Sequence, residues 1–355
     1  MLLVAASALV VKETLLDRYD ALLFDLDGVL FRGESPIPFA AQAVAGARNV
    51  VNVVFVTNNA SRSAAEVVAH LAGVGVEASP AEVLTSAQAA AALLCAELPA
   101  ESSILIVGGT SLADEISRVG LQPVHFAKDS PVAVVQGFHP DVNWRQLAEG
   151  AAAVAAGARW IATNLDMTVP TAAGIAPGNG ALASTITIAT GVTPESVGKP
   201  GPAMVTEAIA RTAARKPLMI GDRLDTDIAA ANAAGIDSLV VLTGVSGLRD
   251  LRDAPAHLRP TFIGRDLRAL ARPVVVVDHA RDYSECNGWL FQAHDAELFL
   301  VRRGSDPISG LNAVLALLWE LADIGRPVPP TAESILIGLW DAVFSEDSQQ
   351  LPQAQ

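Results

Sequence analysis

Short apolar, β-branched runs alternate with alanine-rich helical stretches from Asp20 to about Leu84, and after a long interruption the same rhythm resumes at about Ala203. Such alternation requires a parallel sheet, because parallel neighbours need a connection long enough to hold a crossover helix. Resumption adds a second constraint: two distant segments share one sheet, and the chain between them is inserted beside the strand ends. At 355 residues the protein exceeds one ordinary core and has room for two or three domains.

Asp20 to Asp25 reads as the first strand and Val51 to Thr57 as the second. Between them Pro36-Ile37-Pro38 precedes a helix over Phe39 to Asn49, proline being tolerated at a helix start. After Ser86 strands are expected at Ser103–Val107, Val132–Gln136 and Arg159–Thr163, with helices at Leu112–Val119 and Trp144–Ala156. Gly178-Asn179-Gly180 opens a further helix reaching about Thr190, and Gly191 to Pro202 has the Gly/Pro content of a hinge. The first rhythm then continues as a helix at Ala203–Arg215, a strand at Leu218–Gly221, a helix at Thr226–Ala234 and strands at Ser238–Leu242 and Thr261–Ile263.

From Pro273 the character changes. Val274–Val277 reads as a strand, Gly288–Ala293 and Glu297–Arg302 as a hairpin turning at His294-Asp295-Ala296, and Gly310–Ala322 as a helix. The expected organisation is an N-terminal leader over residues 1–15, a core of residues 16–85 and 195–268, an inserted α/β unit over 86–194, a small α+β appendage over 273–345 and a disordered tail over 346–355.

Composition removes several function classes. Hydrophobic residues make up 51% of the chain, but no run of about 20 apolar residues suggests a membrane span. Met1 to Val11 is apolar yet lacks a positive segment ahead of it, which argues against a secretory signal. The two cysteines, Cys95 and Cys286, are far apart and fit a reducing cytoplasm better than a disulfide framework or zinc site. A formal net charge of −14 without a Lys/Arg stripe argues against nucleic acid. An anionic substrate would therefore need positive potential supplied locally, by a cation, backbone amides and a few basic side chains.

Four places gather the chemistry. The first strand ends in Asp25-Leu26-Asp27-Gly28, where a carboxylate nucleophile on phosphorus would form an acyl phosphate for water to open. Asp25 suits that attack, and Asp27 suits proton transfer to the leaving alkoxide and from the attacking water. Thr57-Asn58-Asn59 closes the second strand with a hydroxyl, carboxamides and amides suited to phosphate oxygens. Lys199, held in an extended turn before Pro200, offers a fixed charge to nucleophile and phosphoryl group. Asp222 follows another apolar strand and suits direct metal binding, with Asp225 and Asp227 supporting it or capping the next helix. Carboxylates without His or Cys favour Mg²⁺ over Zn²⁺.

Taken in order, Asp25-Leu26-Asp27-Gly28, Thr57-Asn58-Asn59, Gly198-Lys199-Pro200 and Gly221-Asp222 with Asp225 and Asp227 resemble the four motifs of the haloacid-dehalogenase (HAD) superfamily phosphatases. The Thr-Asn-Asn motif and the long α/β insertion resemble the NagD / 4-nitrophenylphosphatase branch, over about residues 16 to 268. The resemblance implies an α/β fold: a Rossmann-like parallel-sheet core with an inserted C2-type cap. It implies Asp25 as nucleophile and Mg²⁺ ligand, Asp27 as acid/base that also lends its carbonyl to Mg²⁺, and Asp222 as the remaining side-chain ligand. Thr57 and Lys199 would bind phosphate, with Asn58 and Asn59 beside them. In the cap, Thr163-Asn164-Leu165-Asp166 and Pro177-Gly178-Asn179-Gly180 resemble segments that face the site, while His139 stands where the family usually has Asp.

The expected partner is a small phosphate ester, with glycerol 3-phosphate first and phosphoglycolate, pyridoxal phosphate and nucleoside monophosphates as alternatives. Dehalogenases of the superfamily lack the second acid, so Asp27 points away from their chemistry; phosphomutases share it. The appendage resembles part of a GNAT-type acetyltransferase fold in its hairpin-then-helix order but lacks a Gly-rich pyrophosphate turn between Arg302 and Gly310. A hydrolase scaffold whose tail serves partner binding or regulation is a further alternative.

Overall fold

The computed structural model describes residues 13–171, 174–294 and 297–345. The predicted tail, most of the predicted leader and the Asp295-Ala296 turn lie outside the described residues.

The central sheet is built of six parallel strands in the order Phe262–Gly264, Asp237–Val241, Pro217–Gly221, Ala21–Phe24, Asn52–Thr57 and Val83–Thr85. Ala21–Phe24 and Pro217–Gly221 are buried at every position, which is why they read as unbroken apolar runs. Register then places the chemistry. Phe24 stands opposite Ile220 on one side and Phe55 on the other. Asp25, Asp222 and Thr57 therefore leave the sheet at the same end. The strand order also reverses at Ala21–Phe24, since the next strand in the chain lies on one side and the strand returning from the insertion on the other. Ligands of open α/β sheets bind in the crevice at that reversal.

A second sheet, of five parallel strands, runs Glu195–Ser196, Arg159–Ala162, Ala133–Gln136, Ser103–Val107 and Gln122–Val124. Glu195 pairs with Ile161, so this sheet continues beyond residue 194, where the insertion was expected to end. A two-residue strand carries no periodicity to read. An antiparallel ribbon, Thr168–Thr171 with Gly174–Pro177, was also not foreseen. The alanine-rich helix Ser86–Glu97 ties the two sheets together: one apolar cluster runs from Leu23 and Val54 through Ala87, Ala91 and Leu94 to Ile104 and Ile106.

Two expectations at the ends need correction. Thr14 forms a capping box with Asp17 at the start of helix Leu15–Arg18, and Leu15 is buried in the core, so a leader cannot extend to residue 15. Val274–Val277 belongs to no sheet. Its valines favour extended backbone, but Val274 donates its amide to the Glu13 carbonyl at 2.8 Å and Pro273 bridges Thr14, so the segment straps the N-terminus instead. The C-terminal sheet is a four-stranded antiparallel meander of Asp278–Ala280, Tyr283–Cys286, Trp289–His294 and Glu297–Arg302.

Trp289, Phe291 and Ala293 face inward in alternation with Gln292 and His294. They meet the helix Pro307–Asp323, capped by Asp306, and an unforeseen helix, Thr331–Ser345. Their core is not separate. It includes Leu224, Ile228, Val240 and Leu242 of the central unit, so the appendage is packed on the first sheet's layer. Among the described residues no helix is long and apolar enough to cross a membrane.

Candidate active site

Lys199 is the hub of the crevice. Its Nζ lies 2.5 Å from Asp25 Oδ1 and 2.7 Å from Asp227 Oδ1, and it also donates to the Val56 carbonyl at 3.3 Å. An ammonium only 2% exposed must be paired to persist, and here two carboxylates compensate it. Burial pulls its pKa down, but Asp227 and Asp25 outweigh burial and hold it above the ordinary lysine value.

The loop that delivers Lys199 is gripped by Asn58. The Lys199 amide donates to Asn58 Oδ1 at 2.9 Å, and Asn58 Nδ2 donates to the Lys199 carbonyl at 3.0 Å. The Asn58 carbonyl in turn accepts from Ser86 Oγ at 2.7 Å and Asn164 Nδ2 at 2.8 Å. Both polar ends of the Asn58 side chain are thus engaged in holding the lysine loop. Asn58 lines the crevice as expected, with its side chain committed to the lysine loop.

Asp222 is seated by two glycines. A Cβ on Gly244 would fall 1.8 Å from Asp222 Oδ2 and one on Gly28 2.3 Å from the same atom. With a φ of +81°, Gly28 also occupies the left-handed region. Val245 donates its amide to Asp222 Oδ2 at 2.7 Å, while Oδ1 is buried with no hydrogen-bond partner. Asp227 sits deeper. Its Oδ2 accepts from the amides of Asp222 at 3.2 Å and Arg223 at 3.1 Å. It therefore braces the turn and pairs the lysine at once, and it caps neither of the helical segments that follow.

Above these groups lies a cavity of about 680 Å³ lined by Asp25, Asp27, Thr57, Asn58, Asn59, Lys199, Asp222 and Asp227 from the core. Thr57 is 8% exposed and accepts the Asn59 amide at 3.1 Å. The Asn59 carboxamide oxygen is occupied by the amide and hydroxyl of Ser61, both at 2.8 Å. Asp225 departs from expectation: it is absent from the lining, its side chain is 62% exposed, and it is bound by Arg223 at 2.7 Å. Its neighbour Arg223 turns into the cavity instead.

The cap roofs the cavity with Asn164, Asp166, Gly178 and Asn179, from the two segments expected to face it, and with Phe138 from outside them. His139 does not line it and packs against Gly109, where a Cβ would meet its ring at 2.4 Å. Sequence reasoning missed Arg223, Arg62 and His70, which also line the cavity and supply cationic or titratable groups. For Arg223 the signal was its place within the Asp222–Asp227 run; Arg62 and His70 carried none.

Electrostatics sets the carboxylates apart. Burial raises Asp25 well above the ordinary carboxylate range; Lys199 opposes this, and Asp227 and Asp222 reinforce it. Burial also pushes Asp222 up to about 7, with Asp227 adding repulsion and the Val245 amide opposing it. Asp27 stands at the open side of the crevice. It is raised by desolvation, opposed by a hydrogen bond from the Gly33 backbone and by His70 and Arg62. Asp166 is raised by burial against Arg223.

Oxygens of Asp25, Asp222 and Asp227 lie within 4.8 Å of one another, and a cation among them would relieve the repulsion that raises their pKa values. The partnerless Asp222 Oδ1 and the all-oxygen donor set fit a hard divalent ion.

A parallel sheet with a buried lysine and a cluster of carboxylates at its switch point, roofed by an inserted cap, defines a hydrolase class, and the comparisons agree. The haloacid dehalogenase-like hydrolase model matches residues 22–122 and a HAD-hydrolase-like model residues 196–270. The chain belongs to the haloacid dehalogenase-like hydrolases, as an HAD-type phosphatase. It is 43% identical over 316 residues to a D-glycerol 3-phosphate phosphatase of Mycobacterium tuberculosis, covering 87% of this chain and 88% of that one.

A crystal structure of a glycerol phosphate phosphatase from the same organism, in complex with magnesium, superposes with a TM-score of 0.82 at 40% identity, covering 93% of this chain and 99% of the other. That share cannot be reached without the C-terminal unit. NagD from E. coli K-12, at 31% identity and a TM-score of 0.65, covers 70% of this chain and 96% of its own.

Proposed function

We propose that this protein is a Mg²⁺-dependent phosphomonoesterase that hydrolyses glycerol 3-phosphate through an aspartyl-phosphate. The observation that carries the reaction type is the buried Lys199–Asp25 pair at 2.5 Å beside the partnerless Asp222 Oδ1. The substrate is supported by the identity to the mycobacterial D-glycerol 3-phosphate phosphatase, sustained over 87% of this chain.

The ester's phosphoryl group sits between Lys199, Thr57 and the Asp25 carboxylate. Asp25 attacks phosphorus, and the bond from phosphorus to the glycerol oxygen breaks as Asp27 gives its proton to that oxygen. Glycerol leaves and the phosphoryl group remains on Asp25. Asp27, now ionised, takes a proton from water as the water attacks phosphorus. The bond between phosphorus and the Asp25 oxygen breaks, inorganic phosphate leaves, and both acids return to their starting states. Lys199 stays protonated throughout and offsets the phosphoryl charge. Mg²⁺ held by Asp25, Asp222 and the Asp27 carbonyl, with Asp227 behind them, would neutralise phosphoryl charge and permit the approach of an anionic nucleophile. A cavity roofed by the cap suits a small ester, and closing the cap over it would exclude water.

Phosphate release measured with Mg²⁺ across glycerol 3-phosphate, phosphoglycolate, pyridoxal phosphate and nucleoside monophosphates tests the substrate: the highest kcat/KM should belong to glycerol 3-phosphate. Asp25→Asn should lose at least about 10³-fold in turnover. Turnover of that variant at the parental rate would end the proposed mechanism.

A further inference from the structure

A second cavity, of about 560 Å³, opens at the seam between the first sheet's edge and the C-terminal unit. It shares no lining residue with the catalytic cavity. Its floor is apolar and buried: Leu15, Leu239, Phe262, Ile263 and Ile308. Its rim carries three guanidinium groups, Arg265, Arg268 and Arg272, against two carboxylates, Asp266 and Asp306.

Both acids are engaged. Asp266 receives Arg268 Nη2 at 2.6 Å, and Asp306 caps the Pro307–Asp323 helix by accepting the Ser309 amide at 3.2 Å while also accepting the Ser309 hydroxyl at 2.5 Å. Arg272 has no ion-pair partner among the described residues. The walls are fixed in advance, because the strap that forms one side is tied through Val274 to Glu13 and through Pro273 to Thr14.

A pre-formed pocket of this size, apolar below and carrying at its mouth the Arg272 guanidinium, which has no ion-pair partner among the described residues, has the properties of a small-molecule site. We infer that the seam cavity binds a small organic anion with an apolar body, which seats its hydrocarbon part on Leu239, Phe262 and Ile308 and its charge against Arg272 and its neighbours. Such a ligand contacts the core and the appendage together, so it stabilises their docked arrangement by binding only when both are in place. Nothing in the phosphatase chemistry uses this pocket, and the inference stands independently of the substrate assigned above.

The test uses the full chain and anilinonaphthalene sulfonate as a fluorescent amphipathic anion. One saturable site per chain is expected. Octanoate should displace the dye, and octanol should do so at least about tenfold less well, since it lacks the charge that the arginines meet. Arg272→Glu at the rim and Ser305→Trp across the mouth should each weaken binding about tenfold or more, with Arg272→Lys close to the parent. Phosphate release should be unchanged in all three. Saturating inorganic phosphate and Asp25→Asn should leave dye binding unaltered, which separates this site from the catalytic one. Absence of a saturable site, equal displacement by octanol, or binding indifferent to both Arg272→Glu and Ser305→Trp would overturn the inference.

Discussion

The Nζ of Lys199 lies 2.5 Å from Oδ1 of Asp25, although 174 residues separate them in the chain. The two are joined by the sheet and by one side chain: Asp25 leaves the central strand, and Asn58, just past the adjacent strand, fastens the lysine loop by both of its polar ends.

Asn58→Ala should therefore act through Lys199. Losing two hydrogen bonds to the Lys199 backbone would cost about 1–2 kcal/mol of stability. Turnover should fall about 10- to 100-fold because the ammonium is no longer fixed beside the nucleophile. Asn59→Ala, which removes only a local bond to Ser61, should change kcat less than Asn58→Ala; steady-state kinetics and melting curves compare them. Equal effects would contradict the positioning role of Asn58.

Gly244→Ala would place a methyl where the Asp222 carboxylate now sits, 1.8 Å from Oδ2. The carboxylate must shift, and Mg²⁺ affinity measured by calorimetry should fall by at least about tenfold, as when a supporting contact to a metal ligand is lost. Gly247→Ala, where the nearest atom is 3.7 Å away, should bind as the parent does.

Metal and pH are linked through the crowded acids. Burial pushes Asp222 up to about 7, so the folded metal-free protein prefers its carboxyl protonated. A raised folded value contributes stability below the unfolded value of about 4 and loses it as pH rises through 7. Mg²⁺ binds the ionised carboxylates, so its stabilisation should grow over the same window. The difference in Tm between Mg²⁺ and a chelator should be small near pH 5 and several degrees near pH 8. A difference independent of pH would refute the coupling. Phosphate release should cease in the chelator and return with Mg²⁺.

The two thiols should separate cleanly. Cys95 is exposed, whereas burial pushes the Cys286 thiol up to about 11, the Ser309 hydrogen bond only partly opposing it. At pH 8 a thiol reagent should modify one group quickly in the native protein and two after denaturation. Fast reaction of both in the native state would contradict the packing of Cys286 against the Pro307–Asp323 helix.

Ending the chain after residue 270 should not release a sound hydrolase core. Leu224, Ile228, Val240 and Leu242 share one apolar cluster with Trp289, Phe291, Leu315 and Leu318. Their exposure should lower Tm by well over about 5 °C or bring aggregation. A truncated chain that melts with the parent would show the shared core to be dispensable.

Much of this was legible in one dimension. Unbroken apolar runs announced the buried parallel strands, and acids following those runs announced which residues reach the crevice, because a strand end fixes where the next side chains emerge. Asp25, Asp27, Thr57 and Asp222 follow from that rule; Lys199 was read instead from the turn that Pro200 enforces. Composition and the four ordered motifs settled the hydrolase class.

Tertiary structure decided what depends on partners far along the chain. Asp225 and Asp227 are two residues apart and equally acidic, yet one is tied to Arg223 in solvent and the other is buried between Lys199 and the Asp222 amide. Asn58 and Asn59 are adjacent and identical, yet only the side chain of Asn58 grips the lysine loop, while that of Asn59 holds Ser61. Val274–Val277 has the residues of a strand but became a strap, and the appendage became part of the core. Local propensity records what a residue prefers; hydrogen-bond partners and burial, which only folding supplies, determine what it does.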